Sequence, residues 1–471
     1  MDRPTTSAEG SLLELVARGN KDVYFMSNDK SAHVPFSYSM GTYPATIDET
    51  RQTQPLNMID FGRTVEWEFE AFGDMMVSAA LVVELPTWLP PSIAVINHKN
   101  IVSDSSNTTY GYTQGIGAFL FEQIQFYQDQ LLLQEFSGDF LYAWYHLQNS
   151  LSQEALALKE MGCHLGSPLD IQRNATPNKL TLRLPLIGCA HPDEGGFPLV
   201  SLPGQKFRLR CKIRRLEDLV ESSSQAAKPE PWSRSDFKLT DITGLQTSFK
   251  TLSREEIAKP LITLETTQRY VRQDLQALLK KNKHQIPFLR PFENKLSLDP
   301  SDYIAVGNGG ASYITKRIDG RHPSESLMVF FQSEYNLERN QLWNLKNPKG
   351  TGEYYIRMQL LIAAKEREKS WDNNLWEKIS PWTKAEKTSG LPISWISFTV
   401  GPQYGAKNPE MRRPSGAVNF TSADKPTLWM DITDTLPTRL GQKKRVTMRA
   451  ITIGWGIYNI EDERGTLVFG N

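Results

Sequence analysis

Apolar and polar residues alternate with a period of two in several short segments of the chain. Thr64–Ala71 places Val, Trp and Phe on one side and Glu on the other, and Leu180–Leu184 and Phe207–Ile213 alternate in the same way. This pattern is typical of strands with one face in a core and the other in solvent. Met75–Leu85 is more continuously apolar and predicts a strand that is buried more completely.

A hairpin followed by a helix is predicted in the first third of the chain. The apolar runs Phe119–Tyr127 and Leu131–Phe136 flank the polar turn Gln128-Asp-Gln, as in a β-hairpin. Ser137 then suits a helix N-cap. The residues on one stripe of this helix are Phe140, Leu141, Trp144 and Leu147.

A second helix is predicted near the middle of the chain, directly after the strand Leu261–Leu264. Its apolar residues fall at helical spacing, its last turn is cationic, and we expect it to end at Asn282. The sequence before and after this helix has the pattern of strands and turns, so we interpret the helix as a connector between two β-rich domains. The apolar stripe consists of Val271, Leu275, Leu278 and Leu279.

Strands are again predicted after the connector, separated by polar, Gly-marked or Pro-marked loops. The candidates are Lys295–Leu298, Ser326–Gln332, Tyr354–Ala363, Ile393–Val400, Thr427–Ile432 and Arg445–Ile457. In the first half, the charged segment 216–257 contains Pro229 and Pro231 and is interpreted as a long surface insertion. This spacing predicts an all-β chain of two antiparallel sandwiches, for which the eight-stranded jelly roll is the commonest closed form.

Composition narrows the class of protein. The chain has 471 residues, with 53 Lys plus Arg and 53 Asp plus Glu, so it offers no excess positive charge and we expect no specific nucleic-acid partner. Three sparse cysteines build no disulfide framework and indicate a reducing compartment. The N-terminus lacks the apolar core of a signal peptide, and Met75–Leu85 is far shorter than the ~20 residues of a membrane span, so a soluble protein is expected.

Candidate chemistry is sparse in this sequence. Cys163-His164, with Cys189 and His191, is the nearest approach to a metal set, but the spacing matches no zinc ribbon or finger. We therefore interpret these residues as structural cysteines and surface histidines. No nucleophile elbow, phosphate loop or dinucleotide fingerprint occurs, and the seven histidines are scattered. The sequence predicts no catalytic residue, no cofactor and no metal.

Several surface features allow more than one interpretation. The basic face of Gln205–Arg215, like the basic tip Lys443-Lys-Arg445, could meet an acidic partner or an anionic membrane, but a solvated sheet face is favoured in a neutral chain. Loop tryptophans could act as stacking platforms for carbohydrate; these are Trp371, Trp376 and Trp382. Three sequons match the glycosylation pattern, although such matches are usually chance without a secretion signal; these are Asn107, Asn174 and Asn419.

One motif in the second half is more specific than the rest. Arg413–Thr421, RPSGAVNFT, follows the Ser397-Phe398 strand, and Pro414-Ser-Gly416 suits a fixed turn in which Gly416 would adopt a left-handed conformation. Five other segments, which occur in order along the chain, contribute to the same overall pattern. They are Glu14–Phe25, Gly117–Trp144, Pro185–Ile213, Ile262–Leu279 and His322-Pro followed by Leu327–Gln332.

Through these segments, the chain resembles, nearly end to end, the double jelly-roll major capsid proteins of large nucleocytoplasmic DNA viruses of eukaryotes. The resemblance implies a leader at 1–22, a first jelly roll at 23–270 with the insertion at 216–257, a helical connector at 271–284, and a second jelly roll at 285–471. Gln128-Asp129 stands where the family has Gly-Gly, and the insertion is long. Whether the chain is the principal capsid protein or a divergent or minor paralogue is left open.

The resemblance also implies a function, which is structural and not enzymatic. Three chains would form a homotrimer, a pseudo-hexagonal capsomer that tiles an icosahedral shell, with long loops as outward towers and contacts. Its partners would be neighbouring capsomers, minor capsid or cement proteins and penton proteins, with contact to an inner viral membrane also allowed. The protein would reside in the virion after assembly in the host cytoplasm. Two alternatives stay open: a transient assembly scaffold of the same fold, and a carbohydrate-binding jelly-roll protein.

Overall fold

The computed structural model describes most of the chain beyond residue 45. The predicted leader, Cys163, His164, His191, Asn174 and residues 401–415 lie outside the described residues. The described ranges are 46–93, 100–148, 159–162, 179–189, 196–224, 226–299, 304–305, 312–348, 352–385, 390–400, 416–433 and 445–468.

Thirteen strands of the described residues precede Asn282. They are β1 (Thr46–Thr53), β2 (Thr64–Glu68), β3 (Met75–Glu84), β4 (Ile101–Ser103), β5 (Tyr110–Tyr112), β6 (Phe121–Gln128), β7 (Leu131–Phe136), β8 (Leu180–Arg183), β9 (Phe207–Ile213), β10 (Val220–Ser222), β11 (Phe237–Thr240), β12 (Gln246–Phe249) and β13 (Leu261–Val271). Eight of them form two antiparallel sheets, in the orders β1-β13-β3-β8 and β2-β9-β6-β7. Neighbours that are distant in sequence are the mark of a jelly roll.

The helical elements of the described residues are short, as expected for an all-β chain. They are α1 (Ile116–Phe119), α2 (Gly138–Gln148), α3 (Gln273–Lys281), α4 (Glu334–Leu337), α5 (Ser380–Ala385), a π-helix (Leu375–Ile379), and 3-10 turns at Leu199–Ser201 and Leu216–Asp218. The backbone N–H of Phe140 donates to Ser137 Oγ at 3.1 Å, so the predicted N-cap of α2 is present.

Twelve strands of the described residues follow α3. They are β14 (His284–Leu298), β15 (Ile304–Ala305), β16 (Ser312–Arg317), β17 (Pro323–Ser333), β18 (Tyr355–Ile362), β19 (Lys365–Glu366), β20 (Trp371–Asp372), β21 (Ser394–Ser397), β22 (Val418–Asn419), β23 (Thr427–Ile432), β24 (Val446–Glu461) and β25 (Arg464–Leu467). Their main sheets have the orders β14-β24-β17-β21 and β15-β16-β23-β18-β19. Within the described residues, no sheet combines strands from both sides of Asn282, so the predicted double jelly roll is confirmed.

The connector helix α3 begins and ends close to where the sequence predicts, but its environment differs. None of its nine residues is buried, and Leu278 is 52% exposed. Polar contacts hold the helix instead: Ser201 Oγ donates to the Leu279 carbonyl at 2.8 Å, and Gln276 Nε2 donates to both carboxylate oxygens of Asp74 at 2.9–3.0 Å. Of the predicted apolar stripe, Val271 is buried at the end of β13, whereas the three leucines in the helix are not buried.

Two segments that the sequence pattern does not predict as strands nevertheless contain strands. The polar stretch at 46–53 is β1, which pairs along its whole length with β13 from Thr46↔Val271 to Thr53↔Leu264. The segment 216–257, predicted as a surface insertion, contains β10, which pairs with β5, and β11, which pairs with β4 and with β12. It buries Leu216, Leu219 and Phe237. The partners β13, β5 and β4 of strands β1, β10 and β11 lie far away in sequence, so local periodicity carries no signal for these pairings.

The apolar core is divided unequally between the two jelly rolls. One cluster contains the inner faces of the first pair of sheets and extends into the second half, where it includes Met328, Phe330 and Trp455. The other cluster contains only residues from 296 onwards, such as Leu327, Val329 and Phe331. Successive residues of β17 therefore enter different cores, and strands β17 and β24 of the sheet β14-β24-β17-β21 are buried on both faces.

Candidate functional site

The face of the sheet β14-β24-β17-β21 that meets the first jelly roll is here called the joint. Its apolar residues on the second half include Met328, Phe330, Trp395, Ile451 and Ile453, each at most 1% exposed. From the first half, α2 contributes Trp144, whose ring centroid lies 6.4 Å from that of Trp395. Because joint and first core form one cluster, we expect the two jelly rolls to move as one rigid body.

A buried polar network crosses the joint at the first turn of α2. The Asp139 carboxylate, 2% exposed, accepts from Arg214 Nη2 at 2.8 Å and from Arg449 Nη2 at 3.1 Å. Gln332 Nε2 donates to the other carboxylate oxygen at 2.9 Å. Arg449 also donates from Nε to Gln332 Oε1 and from Nη1 to Glu293. Each charge therefore has an opposite charge beside it, as burial requires.

Electrostatics favour the ionised form of Asp139. Burial acts to raise the pKa of its carboxyl, but the charges of Arg449 and Arg214 together with the Gln332 hydrogen bond hold the pKa below its usual value. The position at a helix N-terminus favours a carboxylate further. The residue was visible in the sequence only as the acid after Ser137-Gly, and its partner Arg449 lies 310 residues away.

Amide side chains seal the edges of the joint. Gln134 Nε2 donates to the Leu289 carbonyl at 2.9 Å and the Pro185 carbonyl at 3.3 Å, while its Oε1 accepts from the Ile187 N–H at 3.0 Å. At another edge, Tyr458 Oη donates to Gln128 Oε1 at 2.7 Å. Both glutamines come from the β6–β7 hairpin, so this hairpin contributes hydrogen bonds as well as apolar contact to the second half.

Two buried carboxyl groups are each bonded to a tryptophan. Trp343 Nε1 donates to Glu221 Oε2 and Trp455 Nε1 donates to Glu325 Oε2, both at 3.0 Å. Burial raises the pKa of Glu221 and of Glu325 to about 8, with the indole hydrogen bond acting in the opposite direction. Both carboxyl groups are therefore largely protonated at neutral pH, so they add no net charge to the interior.

Of the four residues weighed as a metal set, only Cys189 lies within the described residues. Cys189 and Cys211 are buried, and the Cys189 thiol donates to the Met76 carbonyl at 3.3 Å. Burial raises the pKa of Cys211 well above its usual value, which disfavours its nucleophilic thiolate. Among the residues that the structure describes, no group of three or more His, Cys, Asp or Glu side chains could hold a metal ion. Cys163, His164 and His191 fall outside those residues.

The basic face of β9 is compensated by neighbouring strands. Lys206 pairs with Glu68 at 2.9 Å, Arg210 with Glu66 at 3.3 Å and Lys212 with Glu122 at 2.8 Å. Since β9 lies between β2 and β6, each cation has a carboxylate on an adjacent strand. This arrangement supports the interpretation of a solvated sheet face.

The three tryptophans weighed as carbohydrate platforms do not share one environment. Trp371 is 47% exposed and Trp382 is 65% exposed, but Trp376 is only 5% exposed and donates from Nε1 to the Met358 carbonyl at 3.0 Å. The expectation that Trp376 is an exposed loop residue is wrong, because the π-helix turns its indole into the second core.

The specific motif Arg413–Thr421 is described from Gly416 onwards. The backbone of Gly416 is not left-handed, so the expected turn conformation is wrong. A Cβ at this position would lie 2.8 Å from the Phe398 carbonyl oxygen and 3.3 Å from Thr399 Cα. Glycine is required here by the close approach of two backbone segments. The pairing of β22 with Pro323 and Ser324 of β17 fixes that approach.

Two of the three sequons lie within the described residues. Asn107 is exposed in a turn, with φ of 59°, and Asn419 is exposed in β22, where its Oδ1 accepts from the Thr421 N–H at 3.1 Å. Asn174 lies outside the described residues. Among the helices that the structure describes, none is long and apolar enough to cross a membrane.

Comparison with known proteins identifies the fold. No family model matches the chain, and no curated protein matches it in sequence. Solved structures do match: a chain of the PBCV-1 virus capsid is similar with a TM-score of 0.67 at 12% identity, covering 93% of this chain and 100% of that one. The Faustovirus major capsid protein has a TM-score of 0.62 at 12% identity, with 96% of each chain covered.

A third solved structure belongs to the same class. A chain of the Sputnik virophage, determined by cryo-EM, has a TM-score of 0.55 at 10% identity, covering 97% of this chain and 93% of that one. The similarity thus extends over both jelly rolls and their connection in each case. The chain has the double jelly-roll fold of these viral capsid proteins.

Proposed function

We propose that this protein is a structural subunit of a viral capsid, related to the double jelly-roll major capsid proteins of large DNA viruses. The observation that carries the proposal is the end-to-end match to the PBCV-1 capsid chain, which covers both jelly rolls and leaves none of that chain unmatched. Fold alone does not fix function.

The joint supports the same proposal on physical grounds. A shell subunit has to transmit load between its neighbours without bending, and a hydrophobic, hydrogen-bonded junction between two sandwiches makes a stiff block. The sheet β14-β24-β17-β21, here called the wall, lies between the two jelly rolls and contributes residues to the core of each. The division that accompanies this proposal is 23–270 for the first jelly roll, 271–284 for the connector and 285–471 for the second.

Assembly is part of the proposal. Three chains would form a trimer with six jelly rolls, which would contact neighbouring capsomers, minor capsid or cement proteins and penton proteins, and an inner membrane where the virus has one. We propose the virion as its location, after assembly in the host cytoplasm. Analytical ultracentrifugation of the purified chain over a hundredfold range of concentration should give three times the monomer mass. A monomer at every concentration would contradict the trimer.

Purified mature virions provide the test of the capsid role itself. Quantitative mass spectrometry should find the chain at a copy number that matches a shell lattice, and labelling should place it at the particle surface. A protein that is abundant in immature particles and absent from mature ones would instead be a transient scaffold of the same fold. Mass spectrometry of peptides from the same virions also tests whether Asn107, Asn174 or Asn419 carries a glycan. We propose this modification only on the basis of the sequons.

A further inference from the structure

A segment of the second jelly roll lies against the first jelly roll. Residues 334–347, here called the clasp, follow β17 and begin with α4. Leu342 and Leu345 of the clasp are buried in the same apolar cluster as Leu219 and Val220 of the first jelly roll. The clasp is therefore a contact between the two jelly rolls in addition to the joint.

Hydrogen bonds to the backbone around β10 hold the clasp in place. Asn340 Nδ2 donates to the carbonyl oxygens of Glu217 at 2.7 Å and Val220 at 2.6 Å. The Lys228 N–H of the first jelly roll donates to the Glu338 carbonyl of the clasp at 2.9 Å. None of these three bonds involves an ionisable side chain, so pH does not act on them directly.

The clasp also has hydrogen bonds within the second jelly roll. Asn336 Nδ2 donates to the carbonyl oxygens of Asn344 at 3.0 Å and Lys346 at 3.1 Å, and Tyr354 Oη donates to the Lys346 carbonyl at 3.2 Å. These bonds do not reach the first jelly roll, so they persist when the clasp moves away from it. The clasp can therefore separate as one unit, in a local opening of the fold.

The carboxyl group of Glu221 in β10 lies inside this contact. Trp343 Nε1 of the clasp donates to Glu221 Oε2 at 3.0 Å, and Glu221 is only 2% exposed. Strand β5 places Gly111 opposite Glu221, so it contributes no side chain beside the carboxyl group. Among the residues that the structure describes, no Lys, Arg or His forms an ion pair with Glu221.

Ionisable groups on the neighbouring elements do not compensate Glu221. Glu217 pairs with Arg254 at 2.7 Å, and Arg339 of the clasp donates from Nη1 to the Tyr335 carbonyl at 2.8 Å. The other ionisable residues next to these contacts are Tyr110, Tyr112, Asp218 and Glu338. The pKa of Glu221 is set by burial, which raises it to about 8, and by the Trp343 hydrogen bond, which acts in the opposite direction.

The protonation state of Glu221 therefore depends on whether the clasp is closed. A carboxylate without a cation is costly in a buried contact, whereas water stabilises it once the clasp has moved away. In the open form, the pKa would return towards an ordinary value near 4.5. The proton thus favours the closed form. This preference is complete below pH 4.5 and is lost as pH rises through 8.

We propose that the clasp is a proton-controlled contact between the two jelly rolls, closed while Glu221 is protonated and released when Glu221 ionises. Trp343 holds the protonated carboxyl group, and Asn340 and the two leucines supply the part of the contact that does not titrate. Release exposes the backbone around β10 and leaves the joint intact. This device belongs to the single chain and does not depend on the capsid role.

Hydrogen exchange of the intact chain, read by mass spectrometry between pH 5 and pH 9, tests the proposal. The reporter is a peptide that contains Lys228, because its N–H donates across the contact. After correction for the intrinsic exchange rate at each pH, the opening constant should rise roughly tenfold per pH unit up to about pH 8, since each opening releases one proton. Glu221→Gln should abolish this slope, because Gln keeps an acceptor for Trp343 and does not titrate.

Glu230→Gln is the matched control, because Glu230 is an exposed carboxylate close to Lys228 in the same segment. It should keep the slope of the parent chain. Trp343→Phe should raise the opening constant roughly tenfold at every pH and also keep the slope, since it removes a hydrogen bond but not the titrating group. A slope that persists in Glu221→Gln overturns the proposal. Equal loss of protection in peptides of β17 also overturns it, because the chain would then unfold globally.

Discussion

The two sheets of the second jelly roll share one fold but have different surroundings. In the sheet β15-β16-β23-β18-β19, strand β23 alternates between half-buried and buried residues, as a sheet with one solvent face should. In the sheet β14-β24-β17-β21, ten of the eleven residues of β17 are buried. The first sheet covers a core, whereas the second is a wall between two cores. A strand buried on both faces therefore marks where one jelly roll is joined to the other.

The largest effect is expected from breaking the charged network in this wall. Replacing Arg449 by Ala leaves the Asp139 carboxylate buried with one cation fewer, and removal of one partner from a buried ion pair typically costs about 3–5 kcal/mol. Chemical denaturation should show this loss in the free energy of unfolding. Arg445→Ala, directly before β24, removes an exposed pair with Asp299 and should cost below about 1 kcal/mol. Equal losses in the two variants would show that the buried network contributes no more to stability than an exposed ion pair.

The pH dependence of the wall should come from its buried carboxyl group. The pKa of Glu325 is raised to about 8, above an ordinary value near 4.5, so its contribution to stability is complete below pH 4.5 and is lost as pH rises through 8. Between pH 6 and pH 9 this loss amounts to roughly 2–3 kcal/mol. Glu325→Gln should flatten this part of the stability curve, whereas the exposed Glu463→Gln should not. An unchanged slope in Glu325→Gln would place the titration elsewhere.

A smaller effect is expected where β22 approaches the wall. Gly416→Ala places a Cβ against the Phe398 carbonyl oxygen, and forced overpacking of this kind costs about 1–3 kcal/mol. Thermal unfolding should detect it as a lower midpoint. The exposed neighbour Ala417 offers a control, since Ala417→Val should change stability by less than about 0.5 kcal/mol. If Gly416→Ala unfolds like the parent chain, the two backbone segments are free to separate.

The smallest effect is expected on a sheet that has a solvent face. Arg210→Ala in β9 removes an ion pair with Glu66 in which the Arg210 side chain is 49% exposed, and such pairs contribute below about 1 kcal/mol. The loss should shrink further in 0.5 M salt, because exposed charges are screened. A loss as large as that of Arg449→Ala would remove the distinction between wall and outer sheet.

Local periodicity predicted those elements that can be recognised from their own residues, without knowledge of a pairing partner. Strand β2, the β6–β7 hairpin and helix α2 follow from alternation, turn residues and a capping serine. Strand β1 was not predicted, because its residues are polar and mostly exposed and only its pairing with β13 defines it as a strand. The network of Asp139 and Arg449 could not be predicted, because neither residue carries a signal of the other in the sequence. Trp376 was misjudged since a charged local sequence masks a side chain that turns inward.

The shared core also has a consequence for synthesis of the chain. About 190 residues follow Asn282, and a ribosome needs ~10–40 s to add them at ~5–20 residues per second. Until Trp395 has been added, the emerging first half has no partner from the second half to cover Trp144. We expect nascent chains stalled at this length to be held by chaperones. Crosslinking of such stalled chains should detect this contact, which should disappear once β24 has left the ribosome.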